Sequence, residues 1–324
     1  MIKKLASVLL VLFWTGSAFG GNIEVDVQLS NYSKQGGVSG NISSVGSDTL
    51  NNLMTLWSEK FKQFYPNVNI QVEGKGSSTA PPALISATAQ LGPMSRAMKQ
   101  KEIDAFESKF GYQPVPVRVA VDALAVFVNK DNPIKGLNMK QVDAMFSKSR
   151  RRGHKEVITW GDLGVTGNWA DRPISAYGRN SASGTYGFFK KLVMKKGDYK
   201  DEVKEQPGSA SVVQSVSVDP FSAGYSGIGY KTSSVRALPL AESGTSFVMP
   251  TAENALAGEY PLARFLYIYV NKAPGKSLDP LTKEFIKMIL SKEGQQVVIK
   301  GGYFSIAKHV TDEDLQKISA VMTN

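Results

Sequence analysis

Three short runs of glycine and hydroxyl side chains stand directly in front of stretches that read as helices. They are Gly46-Ser47-Asp48-Thr49, Gly76-Ser77-Ser78-Thr79 and Ser181-Ala182-Ser183-Gly184-Thr185, and Arg179 lies two residues before the third. A helix start presents backbone N–H groups without partners inside the helix, together with the positive end of the peptide dipoles, so it attracts oxyanions. Taken singly, each run is also an ordinary N-cap, because Ser, Asp and Thr are favoured there. The third run goes further: it combines a guanidinium, two hydroxyls and a glycine that lets the backbone approach a ligand. Three such turns, one beside an arginine, supply the parts of a cage for a small tetrahedral anion.

The elements around these turns must bring them together. Residues 42–45 read as a strand and 49–64 as a helix with Leu50, Leu53, Met54, Trp57 and Phe61 on one face. Pro66 ends that helix, and 68–72 alternates as a strand. Helices are expected at 83–88, where Pro81 and Pro82 precede it, and at 99–110. The β-branched runs 115–120 and 123–128 suit two buried strands. Further helices are expected at 138–147, 184–195, 209–218, 279–290 and 292–300, and strands at 173–176, 225–230 and 265–270. Residues 22–40 read as a polar leading arm or an edge strand. This alternation predicts an α/β fold with mixed, mostly parallel sheets, in which ligands sit at loops after strand C-termini; all three runs fall there.

Residues 1–20 read as a signal peptide: Lys3 and Lys4 precede the mostly apolar 5–18, and Ala18-Phe19-Gly20 has the small-x-small pattern of a cleavage site. The stretch is too short to span a bilayer, and no later segment reaches the roughly 20 apolar residues a membrane helix needs. An exported, periplasmic mature chain of about 304 of the 324 residues is therefore expected. Cysteine is absent, which excludes a lipoprotein anchor, disulfides, a thiol nucleophile and Cys-ligated metal. Net charge is +10, falling to about +8 without Lys3 and Lys4. This serves solubility or long-range steering of a small anion. The run Ser149-Arg150-Arg151-Arg152-Gly153-His154-Lys155 could also invite nucleic acid, but it lacks interleaved aromatics and any recognition motif, so it reads as a solvated loop. The two histidines, His154 and His309, are far apart, and Glu102 and Asp104 read as solvated helix charges. With no metal-spaced cluster and no serine nucleophile motif, neither a catalytic residue nor a metal or other cofactor is expected.

Seven stretches together carry a resemblance. They are Val45-Gly46-Ser47-Asp48-Thr49-Leu50, Gly76-Ser77-Ser78-Thr79-Ala80, Gly92-Pro93-Met94-Ser95-Arg96, Val121-Asp122-Ala123-Leu124-Ala125-Val126, Thr159-Trp160-Gly161-Asp162-Leu163-Gly164, residues 178–186 and Gly227-Ile228-Gly229-Tyr230. In this order they cover nearly all of the mature chain. The chain resembles the extracytoplasmic phosphate-binding proteins of high-affinity phosphate ABC importers. The resemblance implies a periplasmic-binding-protein fold: two α/β lobes, residues 22–120 with 257–324 and residues 121–256, joined by two crossing segments and closing over one phosphate. It assigns Ser47, Thr49 and the Leu50 amide to the first loop, Ser77 to the second, and Arg179, Ser183, Gly184 and Thr185 to the other lobe. Donors split between lobes make binding favour closure, and the closed monomer would be read by an inner-membrane permease.

Ser95 stands where several members of that family carry an aspartate. Phosphate keeps a proton near neutral pH; a buried carboxylate accepts its hydrogen bond but repels sulfate. In a subgroup that the pair Ser95-Arg96 resembles, an aspartate at the strand onset beside the hinge serves instead, and Asp122 is its counterpart. Asp122 either touches the anion or pairs with Arg96 or Arg179 as support. Arg96 either touches the ligand or braces its loop. Two neighbouring readings stand beside phosphate uptake: a receptor for sulfate, molybdate or phosphonate, and an exported surface or adhesive protein that binds phosphate secondarily.

Overall fold

The computed structural model describes residues 24–319, and the leader reading of residues 1–20 lies outside that range. The described part of the leading arm, residues 24–39, is an irregular strap that pairs with no strand among the described residues. Lys292 donates its N–H to the Ser30 carbonyl at 2.9 Å, and Tyr32 donates its N–H to Glu293 at 2.7 Å and its hydroxyl to Glu284 at 2.8 Å.

Strands β1 (Gly40–Gly46) and β2 (Val68–Gly74) pair in parallel, with α1 (Asn51–Phe64) as their crossover. The apolar stripe of α1 is buried as its periodicity predicts: Leu53, Met54, Trp57 and Phe61 are all solvent-free. Next come α2 (Ala80–Ile85), β3 (Gly92–Met94) and α3 (Gln100–Phe110). The two runs expected as separate strands form one, β4 (Val115–Asn129). The charge of Asp122 suggests a break between them in the sequence, but the structure matches it with a cation on the neighbouring strand, so the ladder continues.

The chain then forms β5 (Leu137–Asn138), α4 (Met139–Phe146), β6 (Ser175–Arg179), α5 (Gly184–Leu192), β7 (Lys204–Gln206), α6 (Ser209–Val218) and β8 (Ser222–Gly227). After these come β9 (Val235–Ala237), β10 (Leu240–Ala241), α7 (Ala252–Leu256), β11 (Ala263–Val270), α8 (Pro280–Ile289), α9 (Lys292–Lys300) and α10 (Lys308–Ser319). β8 ends earlier than the expected 225–230, because residues 228–230 turn as a short 3-10 helix. That turn needs glycine: a Cβ on Gly229 would lie 2.3 Å from the Tyr303 ring. α10 was not expected, since it buries only Val310 and Ile318 as apolar anchors and is otherwise held by charge. Its buried Asp314 accepts from the Arg118 N–H at 2.7 Å and from Arg118 Nε at 3.0 Å.

The main sheet has the order β3-β11-β4-β8-β6-β7, with β9 also on β4. It is mixed: β6 runs parallel to β7 and β8, while β4 runs antiparallel to β11, β8 and β9. β4 is shared along its length. Val115–Ala123 pairs with β11, and Leu124 onward pairs with β8 and β9. At the change of partner, Leu124 donates its N–H to the Leu262 carbonyl at 3.0 Å, which holds β4 against the residue just before β11. Among the described residues no helix is long and apolar enough to cross a membrane.

Trp57 locks α1, and with it the first turn, against α9 by donating its indole N–H to the Gly294 carbonyl at 2.9 Å. Trp57→Ala is expected to cost about 3–5 kcal/mol through cavity formation, read as a lower urea midpoint with unchanged m-value.

Candidate functional site

The three glycine- and hydroxyl-rich turns meet. Ser47 donates its N–H to Pro93 at 2.8 Å and Gly76 donates to Gly46 at 2.7 Å, which sets the first two turns edge to edge beside β3. Only a glycine fits at position 46, where a Cβ would lie 2.2 Å from the Pro93 carbonyl. Ser95 donates its N–H to Ser77 Oγ at 3.0 Å, and the two hydroxyls lie 3.3 Å apart. The third turn comes from the other half of the sheet and closes on them. Thr185 Oγ1 is hydrogen-bonded to Thr49 Oγ1 at 2.9 Å, and Ser78 donates its N–H to Ala182 at 3.1 Å. A Cβ on Gly184 would lie 2.2 Å from Ser77 Oγ and 2.6 Å from Ser95 Oγ.

Ser47, Thr49, Leu50, Ser77, Ser95, Ser183, Gly184 and Thr185 are therefore gathered in one buried place. Two of them work locally as well. Ser183 caps α5, its hydroxyl accepting from the N–H groups of Thr185 at 3.1 Å and Tyr186 at 3.4 Å. The Leu50 amide, expected to face a ligand, donates to the Ser47 carbonyl at 3.2 Å inside a 3-10 turn.

Two buried arginines flank this cluster. Arg179 ends β6 and is only 1% exposed. Its Nη1 donates to Ser209 Oγ at 2.6 Å and lies 3.1 Å from Asp48 Oδ2, and its Nη2 donates to the Pro207 carbonyl at 3.2 Å. Burial pushes the guanidinium pKa down, and Asp48 opposes that shift. The second arginine, Arg264, lies directly opposite Asp122 in the β4–β11 register. It donates Nε and Nη2 to Asp122 Oδ2 at 2.9 and 2.7 Å, and Nη2 also reaches Thr185 Oγ1 at 3.0 Å. Asp122 Oδ1 accepts from the Ile228 N–H at 3.0 Å. Arg179 Nε and Arg264 Nη1 are both buried and make no hydrogen bond among the described residues.

The partner of Asp122 is thus neither Arg96 nor Arg179. Arg96 braces its loop: its Nη1 and Nη2 grip Glu102 at 2.8 and 2.7 Å. Sequence reasoning missed two residues, Arg264 and Asp48. Arg264 is the sole charge in the apolar run 262–270, and that isolation is the signal that could have found it. Asp48 lay inside the first turn and read as part of a cap. Its carboxylate instead accepts from the Ser209 N–H at 2.7 Å, and its carbonyl accepts from the Tyr230 hydroxyl at 2.8 Å.

The basic run 149–155 does structural work behind the site. Arg152 donates Nε and Nη2 to the Val193 and Leu192 carbonyls, both at 2.7 Å, capping the C-terminal end of the helix whose first turn carries Gly184 and Thr185. Arg150 pairs with Glu156 at 3.2 Å.

Residues 32–293 match the model of the PBP superfamily domain. The phosphate-binding protein PstS of Pseudomonas aeruginosa is 57% identical over 319 residues, covering 98% of this chain and 99% of that protein. The PstS of Staphylococcus haemolyticus is 30% identical and covers 86% of each chain. The chain belongs to the PstS family of phosphate-binding proteins, within the PBP superfamily. Its two-lobed fold is also that of a Clostridium perfringens protein assigned as a phosphate ABC transporter substrate-binding protein and crystallised with bound phosphate. That structure aligns at a TM-score of 0.70 and 26% identity over 82% of this chain and all of the other.

Removing one partner of a buried ion pair leaves the other charge uncompensated. Asp122→Ala is therefore expected to destabilise the fold by about 3–5 kcal/mol in chemical denaturation. A loss below 1 kcal/mol would mean that Arg264 finds water or another partner.

Proposed function

We propose that this chain is an extracytoplasmic receptor that binds inorganic phosphate between two closing lobes and delivers it to an ABC permease. The observation that carries this reading is the convergence of three remote turns around Thr49, Ser77 and Thr185, with two buried arginines that each keep an N–H without an acceptor among the described residues. Charge-assisted hydrogen bonds from guanidinium to an oxyanion are among the stronger ones available, and hydroxyls and first-turn amides complete a tetrahedral guest's shell. The names of the PstS relatives support phosphate as that guest.

In this reading the first lobe comprises residues 22–120 with 257–324 and the second residues 121–256, hinged where β4 and the start of β11 run together. Thr49, Ser77 and Ser95 act from the first lobe; Arg179, Ser183, Gly184 and Thr185 act from the second. The protein works as a periplasmic monomer after loss of residues 1–20, and it is a carrier rather than an enzyme. Selection against sulfate falls to Asp122. Its Oδ1 accepts one N–H and retains a lone pair, so it can take the proton of a phosphate, whereas sulfate brings only repulsion.

Competitive calorimetry with phosphate, arsenate and sulfate tests the reading: arsenate should displace phosphate and sulfate should not. Arg179→Ala is expected to weaken phosphate binding by more than about tenfold, the loss of one charge-assisted contact; unchanged affinity would count against the assignment. Asp122→Asn is expected to let sulfate compete, and a variant still blind to sulfate would move that role to another group.

A further inference from the structure

A cleft of about 910 Å³ lies between the loop ahead of α3 and the end of α5, and both Ser183 and Arg264 are in its lining. It therefore leads to the gathered turns, and the one buried arginine that reaches Thr185 belongs to both. Arg264 is 7% exposed, and its Nη1 has no acceptor among the described residues. Among apolar and neutral residues, the rest of the lining carries Arg96, Lys99, Lys190, Lys191 and Lys196, with no Asp or Glu in it. Two of those cations are already matched: Arg96 grips Glu102, and Lys190 faces Asp198 at 3.3 Å. Lys99, Lys191 and Lys196 are exposed and form no ion pair among the described residues. They sit on opposite banks, Lys99 just before α3 and the other two at the end of α5. Lys196 leaves a fixed backbone, since its N–H is held by the Lys190 carbonyl at 2.8 Å and Gly197 donates to Met194 at 2.7 Å. Burial lowers the Lys99 pKa, the Arg96 charge adds to that, and Glu102 opposes it.

We propose that Lys99, Lys191 and Lys196 form an anion-capture site at the mouth of this cleft, which speeds the entry of small divalent oxyanions to the buried turns. The inference rests on the phosphate-receptor reading and adds a kinetic role to that site. Unpaired cations around one opening raise the local concentration of an anion and its association rate, an effect that falls steeply with salt. Charges farther away than a Debye length, about 10 Å at 0.1 M ionic strength, contribute little. Removing these three lysines should therefore differ from removing any three.

The test is rapid-mixing measurement of phosphate association and dissociation rates, with equilibrium affinity measured in parallel. The triple variant Lys99→Gln, Lys191→Gln, Lys196→Gln is expected to bind about fivefold more slowly at low salt with an unchanged dissociation rate, and the difference should vanish near 1 M salt. The control variant Lys62→Gln, Lys140→Gln, Lys300→Gln has the same net charge and alters exposed lysines outside the cleft, so it should keep the wild-type rate. An unchanged association rate in the first variant, an equal loss in the control, or a loss confined to dissociation would each overturn the capture site. Wild-type protein that binds no phosphate at equilibrium would instead overturn the receptor reading.

Discussion

Asp122 and Arg264 meet head-on across β4 and β11, and both are almost wholly out of water. Desolvating two such charges costs several kcal/mol each, and their attraction offsets this only with good geometry and with the remaining lone pairs and protons satisfied. The structure supplies much of both. Two guanidinium N–H groups share Asp122 Oδ2, the Ile228 amide takes Oδ1, and Gly227 leaves the carboxylate room, since a Cβ there would lie 3.2 Å from both oxygens. From this pair the site is built outward. Arg264 fixes the Thr185 hydroxyl, Thr185 meets Thr49, and the Thr49 carbonyl accepts from the buried Tyr303 hydroxyl at 2.8 Å. An apolar pair of similar volume would often stabilise a fold as well or better. A charged pair at this position therefore makes sense mainly through what its unused N–H and lone pair can do for a guest.

Glycine sets how close the turns can come. At Gly46, Gly76 and Gly184 an added Cβ would lie within 2.2 to 2.6 Å of an atom in the facing segment, so backbone meets backbone or hydroxyl with no side chain between. Hydroxyls then serve twice. Ser183 caps a helix and lines the cleft, and Ser77 receives the Ser95 amide while touching its hydroxyl. The ordinary capping role and the anion-cage role are thus not rivals. In the proposed reading the same residues serve both, which is why a reading of each turn by itself could not choose between them.

The legible part of the fold was its periodic part. α1, α3, α6 and the closing helices fall where the 3.6-residue pattern put them, and the convergence of the turns followed from their common position after strands. What escaped was set by partners remote in sequence. β4 is one strand because Arg264, 142 residues away, matches Asp122 in its middle, and local composition cannot show that. β8 gives way to a 3-10 turn whose Gly229 packs against Tyr303, and α10 is tied to β4 where Asp314 accepts from Arg118. The arginine-rich run looked like a solvated loop since nothing local reveals that Arg152 caps the helix ending near residue 192.

The distribution of charge separates two tasks. Inside, each arginine is already matched by one carboxylate, Arg179 by Asp48 and Arg264 by Asp122, so the buried set has no excess of positive charge. In the proposed reading a guest there would be held by directed donors, and Asp122 would penalise any anion that cannot give it a hydrogen bond. Outside, the cleft lining holds three exposed lysines that form no ion pair among the described residues, and it contains no carboxylate of its own. Exposed lysines in water bind anions weakly and without shape, so they cannot discriminate, but their field reaches farther than any hydrogen bond. Placing the excess charge at the mouth and the balanced, aimed groups inside lets speed and selectivity be set by different residues, so that changing one need not spoil the other.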